Sequence, residues 1–260
     1  MSNNFYTLIT GASGGIGLAL AREFASHGNN VLLVARSREK LENTCRELHE
    51  VYGVQADFIC FDLSQINNFN QLYQEIESKN YHFETLVNNA GFGLNGEFIN
   101  LDLAKQTEMI NLNVSGLVNL SHYFANKFKA QGFGKIMNIG STVSFMYTPY
   151  MSVYNGTKWF VRAFSVSLNE ELQGTGVKVI CFCPGATTSD FASVAGIDKI
   201  AGFTTQPKQT PEQVAKLGYK ALVNDHELEI SGWINNLQIL VIRLLPRRLA
   251  VNISGKLLKN

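Results

Sequence analysis

Short, β-branched apolar runs punctuate the chain at 5–10, 31–35, 58–61, 85–87, 135–139 and 177–183, each reading as a buried strand. Between them, apolar residues recur at three- and four-residue spacing over 16–26, 39–52, 66–78, 103–129 and 152–172, the period of a helix with one buried face. Alternation of this kind implies βαβ crossovers, and so a parallel sheet with helices on both faces. The pattern predicts an α/β, doubly wound architecture in which ligands collect beyond the carboxyl ends of the strands.

Internal repeats, charge blocks and low-complexity linkers are missing from the sequence, and 260 residues with 45% hydrophobic side chains suit one large core, so 1–260 is read as a single domain. The least regular stretch, 184–211, holds Gly185, Gly196, Gly202 and Pro207 and is expected to be a long mobile substrate loop over the site. Phe191 and Phe203 within it point to an apolar pocket. The segment 232–260 contains a strongly apolar run over 233–245, interrupted by Arg243 and followed by Arg247 and Arg248. It falls short of the about 20 apolar residues a bilayer crossing needs. It is expected to be an amphipathic helix that covers the substrate site or meets a partner subunit, with peripheral membrane contact as the alternative.

Charge narrows the class. Lys and Arg number 22 against 21 Asp and Glu, a net charge of +1, so no long-range field is expected to recruit nucleic acid or an anionic membrane. A small neutral or amphiphilic substrate fits better. The start, Met1-Ser2-Asn3-Asn4, has no basic or apolar leader character, which places the protein in the cytoplasm. Cys45, Cys60, Cys181 and Cys183 lack Cys-x-x-Cys spacing, so no metal is expected and the thiols are read as reduced and structural. Cys181 and Cys183, two apart on a strand, would share one face.

Candidate chemistry begins at Thr10-Gly11-Ala12-Ser13-Gly14-Gly15-Ile16-Gly17, which closes the first strand and opens the first helix. Gly11 permits the tight turn, Gly15 lets backbone approach a pyrophosphate, and Gly17 lets the helix pack close to the strand, while the helix N-terminus offers free N–H groups to the anion. After the second strand an NAD enzyme presents an acid to the ribose 2′-hydroxyl; here the chain reads Ala35-Arg36-Ser37-Arg38. Arg36 can meet a 2′-phosphate with no nearby acid to repel it, Ser13 and Arg38 can assist, and NADP(H) is favoured over NAD(H). Asp62-Leu63, after the third strand, is placed either to bind the adenine amino edge or to cap the next helix.

Tyr154 and Lys158 stand at i, i+4 on a helical segment and so share one face. The ammonium beside the phenol, together with a cationic nicotinamide close by, is expected to favour phenolate, and the ammonium to hold the nicotinamide ribose. Ser141 follows the fifth strand, where its hydroxyl can polarise a carbonyl that Tyr154 protonates.

Taken together, Thr10-Gly-x-x-x-Gly-x-Gly17, Asn88-Asn89-Ala90-Gly91, Asn113, Ser141, Tyr154-x-x-x-Lys158 and Pro184-Gly185 resemble, in order and spacing, the short-chain dehydrogenase/reductase family. The resemblance implies a Rossmann-type fold and a catalytic set of Asn113, Ser141, Tyr154 and Lys158. It implies that 88–91 steadies the central strand and lines the adenosine ribose through Asn89, Ala90 and Gly91. It also implies that Asn113 holds a water leading from lysine to solvent. Pro184, Gly185 and a following Thr187 or Thr188 resemble the family's contacts to the nicotinamide and its phosphate. Gly14 departs from the basic residue common in NADP members, which leaves the cofactor preference resting on Arg36. Relatives of this type usually pair through the two long helices as homodimers or homotetramers. The expected activity is an NADP(H)-dependent reduction of a carbonyl on a small apolar or acyl substrate. A non-catalytic NADP(H)-binding regulator, or a dehydratase or epimerase on the same fold, are the alternatives.

Overall fold

In the computed structural model, which describes residues 5–259, the chain runs β1 (Phe5–Thr10), α1 (Gly15–Ser26), β2 (Asn30–Ala35), α2 (Arg38–Tyr52), β3 (Ala56–Cys60), α3 (Phe69–Ser78) and β4 (His82–Asn88). It continues through α4 (Leu103–Ile110), a π-helical turn at Asn111–Gly116, α5 (Leu117–Gln131), β5 (Gly134–Ile139), α6 (Ser152–Glu171) and β6 (Val177–Cys183). The last third comprises α7 (Phe191–Ala195), α8 (Ala201–Thr204), α9 (Pro211–Val223), β7 (Leu228–Ile230), α10 (Trp233–Leu244) and α11 (Arg247–Leu258). Met1–Asn4, read above as carrying no leader, lie outside the described residues.

The seven strands form one sheet in the order β3-β2-β1-β4-β5-β6-β7, every neighbouring pair parallel. Strand order reverses between β1 and β4, the place where a doubly wound sheet opens a crevice. Successive residues feed opposite faces, as the two-residue period of a strand requires. Ile9 and Leu33 join Leu20, Phe24 and Val214 in one layer, while Leu8 and Leu32 join Leu72, Phe124 and Phe128 in the other. Burying a side chain of this size contributes about 1.5–3 kcal/mol, so the two layers carry the fold.

Polar groups also span the sheet. The Asn88 amide donates to Ser121 Oγ (3.0 Å) and to Asn138 Oδ1 (2.9 Å), and the Asn138 amide donates to Ser165 Oγ (2.9 Å). This buried ladder ties β4 and β5 to α5 and α6, because a polar group in the core is stable only when bonded.

Several expectations change. The helix expected over 103–129 is broken into α4, the π-helical turn and α5. The loop at 184–211 contains α7 and α8, and Ala192, Ile197, Ile200 and Phe203 bury themselves against Met109, Met151 and Tyr154. The apolar run over 233–245 forms one helix, α10, as expected, and a second helix that the sequence reading did not include, α11, follows after Pro246, which lacks the N–H a continuous helix needs.

Candidate active site

At the carboxyl end of β1 the chain turns through Gly11 at φ +66°, where a side chain would bring Cβ within 2.9 Å of Ala90 Cα. A Cβ on Gly17 would lie 2.3 Å from the Gly11 carbonyl oxygen, so only glycine lets α1 approach β1 this closely. Thr10 fixes the neighbouring strand end: its hydroxyl oxygen accepts from the backbone N–H groups of Asn89 (2.9 Å) and Ala90 (3.0 Å). The Asn89 amide donates back to the Thr10 carbonyl at 2.9 Å. The first turn of α1 has no side-chain cap and no acidic residue. Its N–H groups are therefore left for an anion.

Gly11, Ser13, Gly15 and Ile16 open onto one large cleft of about 1340 Å³ that continues across the sheet edge to α11. Arg36, Asp62, Leu63, Asn89, Ala90 and Gly91 line the same cleft, as do Ser141, Tyr154, Lys158, Pro184, Gly185 and Thr187. Gly17 and Asn113 stand behind it.

Two residues near Arg36 were missed by sequence reasoning. Glu108 on α4 places a carboxylate 3.6 Å from the Arg36 guanidinium and 2.7 Å from the Lys105 ammonium. The expectation of no acid near Arg36 therefore fails in space, although Lys105 offsets that charge and Lys40 adds another cation to the cleft wall. The Asp62 carboxylate accepts from the backbone N–H (3.0 Å) and hydroxyl (2.8 Å) of Ser64, two residues on, in a local turn rather than as the cap of a helix, since the 3₁₀ turn at Ile66–Asn68 and α3 carry no side-chain cap, and the residue borders the cleft. Of Thr187 and Thr188, only Thr187 lines the cleft; it is buried and donates its hydroxyl to the Gly185 carbonyl at 3.1 Å.

At the catalytic end, Ser141 begins the turn after β5, its hydroxyl accepts from the Val143 N–H at 3.3 Å, and it stands close enough to the Tyr154 phenol to lower the phenol's pKa. The Lys158 ammonium lies 5.9 Å from the Tyr154 ring centre and donates to the Ile139 carbonyl at 2.8 Å. Asn155 on α6 donates to the carbonyls of Val143 (2.7 Å) and Met146 (3.0 Å), and so holds the Ser141 turn against the helix that bears Tyr154. Nothing in the local sequence marks Asn155 for this role. Asn113 sits in the π-helical turn, an irregularity frequent at functional sites. Its amide oxygen accepts from the Phe92 N–H (3.1 Å) and its amide nitrogen donates to the Phe92 carbonyl (2.9 Å) and Thr157 Oγ1 (3.2 Å). It braces the loop beside Gly91 against α6.

Electrostatics set the starting state of the chain alone. Burial raises the Tyr154 phenol above its ordinary value, more than the Ser141 hydroxyl lowers it, and burial lowers Lys158 to about 8. In the protein alone, then, the phenol is held protonated rather than favoured as phenolate. A group so placed is ready to donate a proton. Cys181 and Cys183 share one face beneath this site, with sulfurs 3.7 Å apart, and are free thiols.

These residues fit a nicotinamide dinucleotide. An uncapped helix end stands at the glycine turn, cations stand near Arg36, and an ammonium stands beside the phenol at the far end. A family model described as short chain dehydrogenase matches residues 6–199. The chain is 34% identical over 234 residues to sulfoacetaldehyde reductase 2 of Chromohalobacter salexigens, covering 86% of this chain and 92% of that protein. It is 31% identical over 220 residues to the ketoacyl reductase HetN of Nostoc sp., covering 84% of this chain and 75% of that protein. A solved short-chain dehydrogenase from Sphingobium yanoikuyae in complex with NADPH superposes with a TM-score of 0.81 at 28% identity, over 93% of this chain and 96% of that one. The chain belongs to the short chain dehydrogenase family and is an oxidoreductase that interconverts a carbonyl and an alcohol.

Proposed function

We propose that the protein is an NADPH-dependent reductase of bulky, apolar or acyl-bearing carbonyl compounds. The observation that carries this reading is the meeting of Ser141, Tyr154 and Lys158 in a cleft whose far end is apolar. Its volume exceeds the about 300–1,000 Å³ of an ordinary single-ligand pocket, which leaves room for a dinucleotide and a second molecule. Phe191, Val194, Ile197 and Phe203 line the substrate end, with Leu237 and Val241 opposite, and Lys158 is the one Lys or Arg bordering it. The Lys208 ammonium stands 4.6 Å from the Phe203 ring centre but does not line the cleft, and the apolar lining is the reason the substrate of the C. salexigens relative is not carried over.

Bound at the glycine turn, NADPH supplies the hydride. The chain's own residues do the rest. The Ser141 hydroxyl and the Tyr154 phenol point at the carbonyl oxygen, stabilising the negative charge that develops there. Tyr154, protonated at neutral pH, gives that oxygen its proton. Lys158 keeps a positive charge beside the phenol, Asn113 holds the Phe92 backbone, and Phe191, its ring centre 5.4 Å from that of Tyr154, shields the phenol from water.

Reduction of a set of ketones, aldehydes and acyl thioesters, followed by cofactor absorbance, tests the substrate class. Bulky apolar ketones are expected to exceed sulfoacetaldehyde in kcat/KM by at least about tenfold, the discrimination that one or two buried methylene groups provide. The reverse order overturns the reading, and turnover with no change in cofactor absorbance would establish a dehydratase or epimerase instead.

Cofactor preference follows from Arg36. Arg36→Ala is expected to lower kcat/KM for NADPH by about 10–100-fold, the worth of one charge-assisted phosphate contact, while leaving NADH nearly unchanged. Glu108→Gln removes the competing carboxylate and is expected to improve NADPH over NADH by several-fold. Equal losses with both cofactors in Arg36→Ala would remove its assigned role. The reading also includes pairing of copies through α4 and α6, where Leu103, Ile110, Phe160 and Val166 are exposed.

A further inference from the structure

Two neighbouring helices at the end of the chain leave their apolar side chains in solvent. Within α10 only Ile239 is buried, and within α11 no residue is. Trp233, Leu237, Leu240 and Leu244 follow i, i+4, i+7, i+11 spacing and therefore form one stripe. Trp233, Leu240 and Leu244 are 74%, 56% and 78% exposed. Leu249, Ile253 and Leu257 make a second stripe along α11, and each of them is exposed. Such a contiguous apolar surface marks a place where something docks.

Charge says what docks. No Asp or Glu follows Glu229, whereas Arg243, Arg247, Arg248, Lys256 and Lys259 do. Arg243 is exposed, with its guanidinium 5.2 Å from the Phe145 ring centre. Arg247, Arg248, Lys256 and Lys259 are exposed and form no ion pair among the described residues. A second copy of the chain meeting this face across a two-fold axis would set cations against cations, because an isologous contact pairs each patch with itself. A surface that is apolar inside and anionic outside satisfies both features at once.

We propose that α10 and α11 seat the protein on an anionic lipid bilayer. No helix of the described residues is long and apolar enough to cross a membrane. A twelve-residue helix such as α10 extends only about 18 Å against a hydrocarbon core of about 30 Å. Both helices therefore lie in the interfacial plane, their leucines among the acyl chains and their cations at the headgroups. Trp233 at the start of α10 suits the headgroup level, where indole rings collect.

The position of this face relative to the cleft has a consequence. Leu237 and Val241 of α10 and Ile253 and Leu257 of α11 line the cleft that reaches Tyr154. The stripes are continuous with the mouth, so an apolar molecule dissolved in the bilayer passes to the phenol without crossing water. This route rests on the apolar-substrate reading; the docking itself does not.

Co-sedimentation of the full chain with vesicles separates the two. Binding is expected to vesicles of phosphatidylcholine with about 30% phosphatidylglycerol, at least about tenfold stronger than to phosphatidylcholine alone, and weakened by high salt as surface charges are screened. Leu240 and Leu244 do not line the cleft. The double substitution Leu240→Glu and Leu244→Glu is expected to reduce vesicle binding by at least tenfold and to leave reduction of a water-soluble ketone unchanged. Failure to bind anionic vesicles at low salt overturns the proposal. So does a double variant that turns a dimer into a monomer in sedimentation velocity with vesicle binding unaltered, which would assign the face to a second copy.

Discussion

Tyr154→Phe is expected to lower kcat for carbonyl reduction by about 10²–10⁴-fold, the range a positioned general acid contributes, while NADPH binds with an affinity within a few-fold of the wild type. The substitution removes one oxygen and keeps the ring that packs against Phe191 and Met151, so the apolar lid retains its partner. What disappears is the proton donor, the phenol beside the Ser141 hydroxyl. Ser141 remains as the one hydroxyl facing the substrate oxygen, which is why residual turnover is expected rather than none. Fluorescence titration with NADPH, alongside steady-state rates, separates the two quantities. Turnover within about tenfold of the wild type would remove Tyr154 from the acid role. A parallel loss of NADPH affinity would mean that its part is structural.

The parts of this site that were legible in the sequence are those built from short-range rules. Gly11 and Gly17 announce themselves because a tight turn and a close helix leave no space for a Cβ. Tyr154 and Lys158 are one helical turn apart, so their shared face follows from α-helical geometry alone. The strands from β1 to β6 show as continuous apolar runs because both faces of a parallel sheet are covered. The strand β7 is three residues, Leu-Glu-Ile, and exists only because β6 offers it a parallel edge. No local pattern of that length distinguishes it from a loop. The helix α9 did carry a signal: the capping box Thr210-Pro211-Glu212-Gln213, hidden by reading Pro211 as the end of a loop.

Glu108 shows the other limit. It lies far along the chain from Arg36, and only the placement of α4 over the end of β2 brings the two charges together. The same holds for the acidity of Tyr154. The i, i+4 ammonium is visible in the sequence, but the desolvation that outweighs it comes from Phe191, Met151 and Ala192, which belong to segments on either side. Spacing identifies which groups meet, while burial decides which of their protonation states prevails.

Lys158 is expected to make activity and stability respond to pH in opposite directions. Its pKa in the folded chain, about 8, lies below the ordinary value because burial disfavours the ammonium. An unfolded chain releases that proton only near about 10.4. Between these two values the unfolded state binds more protons than the folded one, so folding stability rises with pH across the window. A shift of this size corresponds to about 3 kcal/mol, present in full above about pH 10.4 and lost as pH falls through 8. Lys158→Met removes the titration. At pH 7 the variant is expected to be more stable than the wild type by about 2 kcal/mol, the relief of the buried charge less about 1 kcal/mol for the Ile139 carbonyl that loses its donor. That advantage is expected to vanish by about pH 10.5, where the wild-type lysine is itself neutral. The difference between the two urea-unfolding curves isolates this residue from the tyrosines and cysteines that titrate in the same range. Catalysis runs the other way: kcat/KM of the wild type for reduction is expected to fall about tenfold per pH unit above 8, as the ammonium beside the phenol is lost, and the variant is expected to lose activity at every pH. A variant less stable than the wild type at pH 7, or a stability difference independent of pH, would show that folding does not lower the pKa of Lys158, and loss of its ammonium could then no longer account for a fall in activity above pH 8.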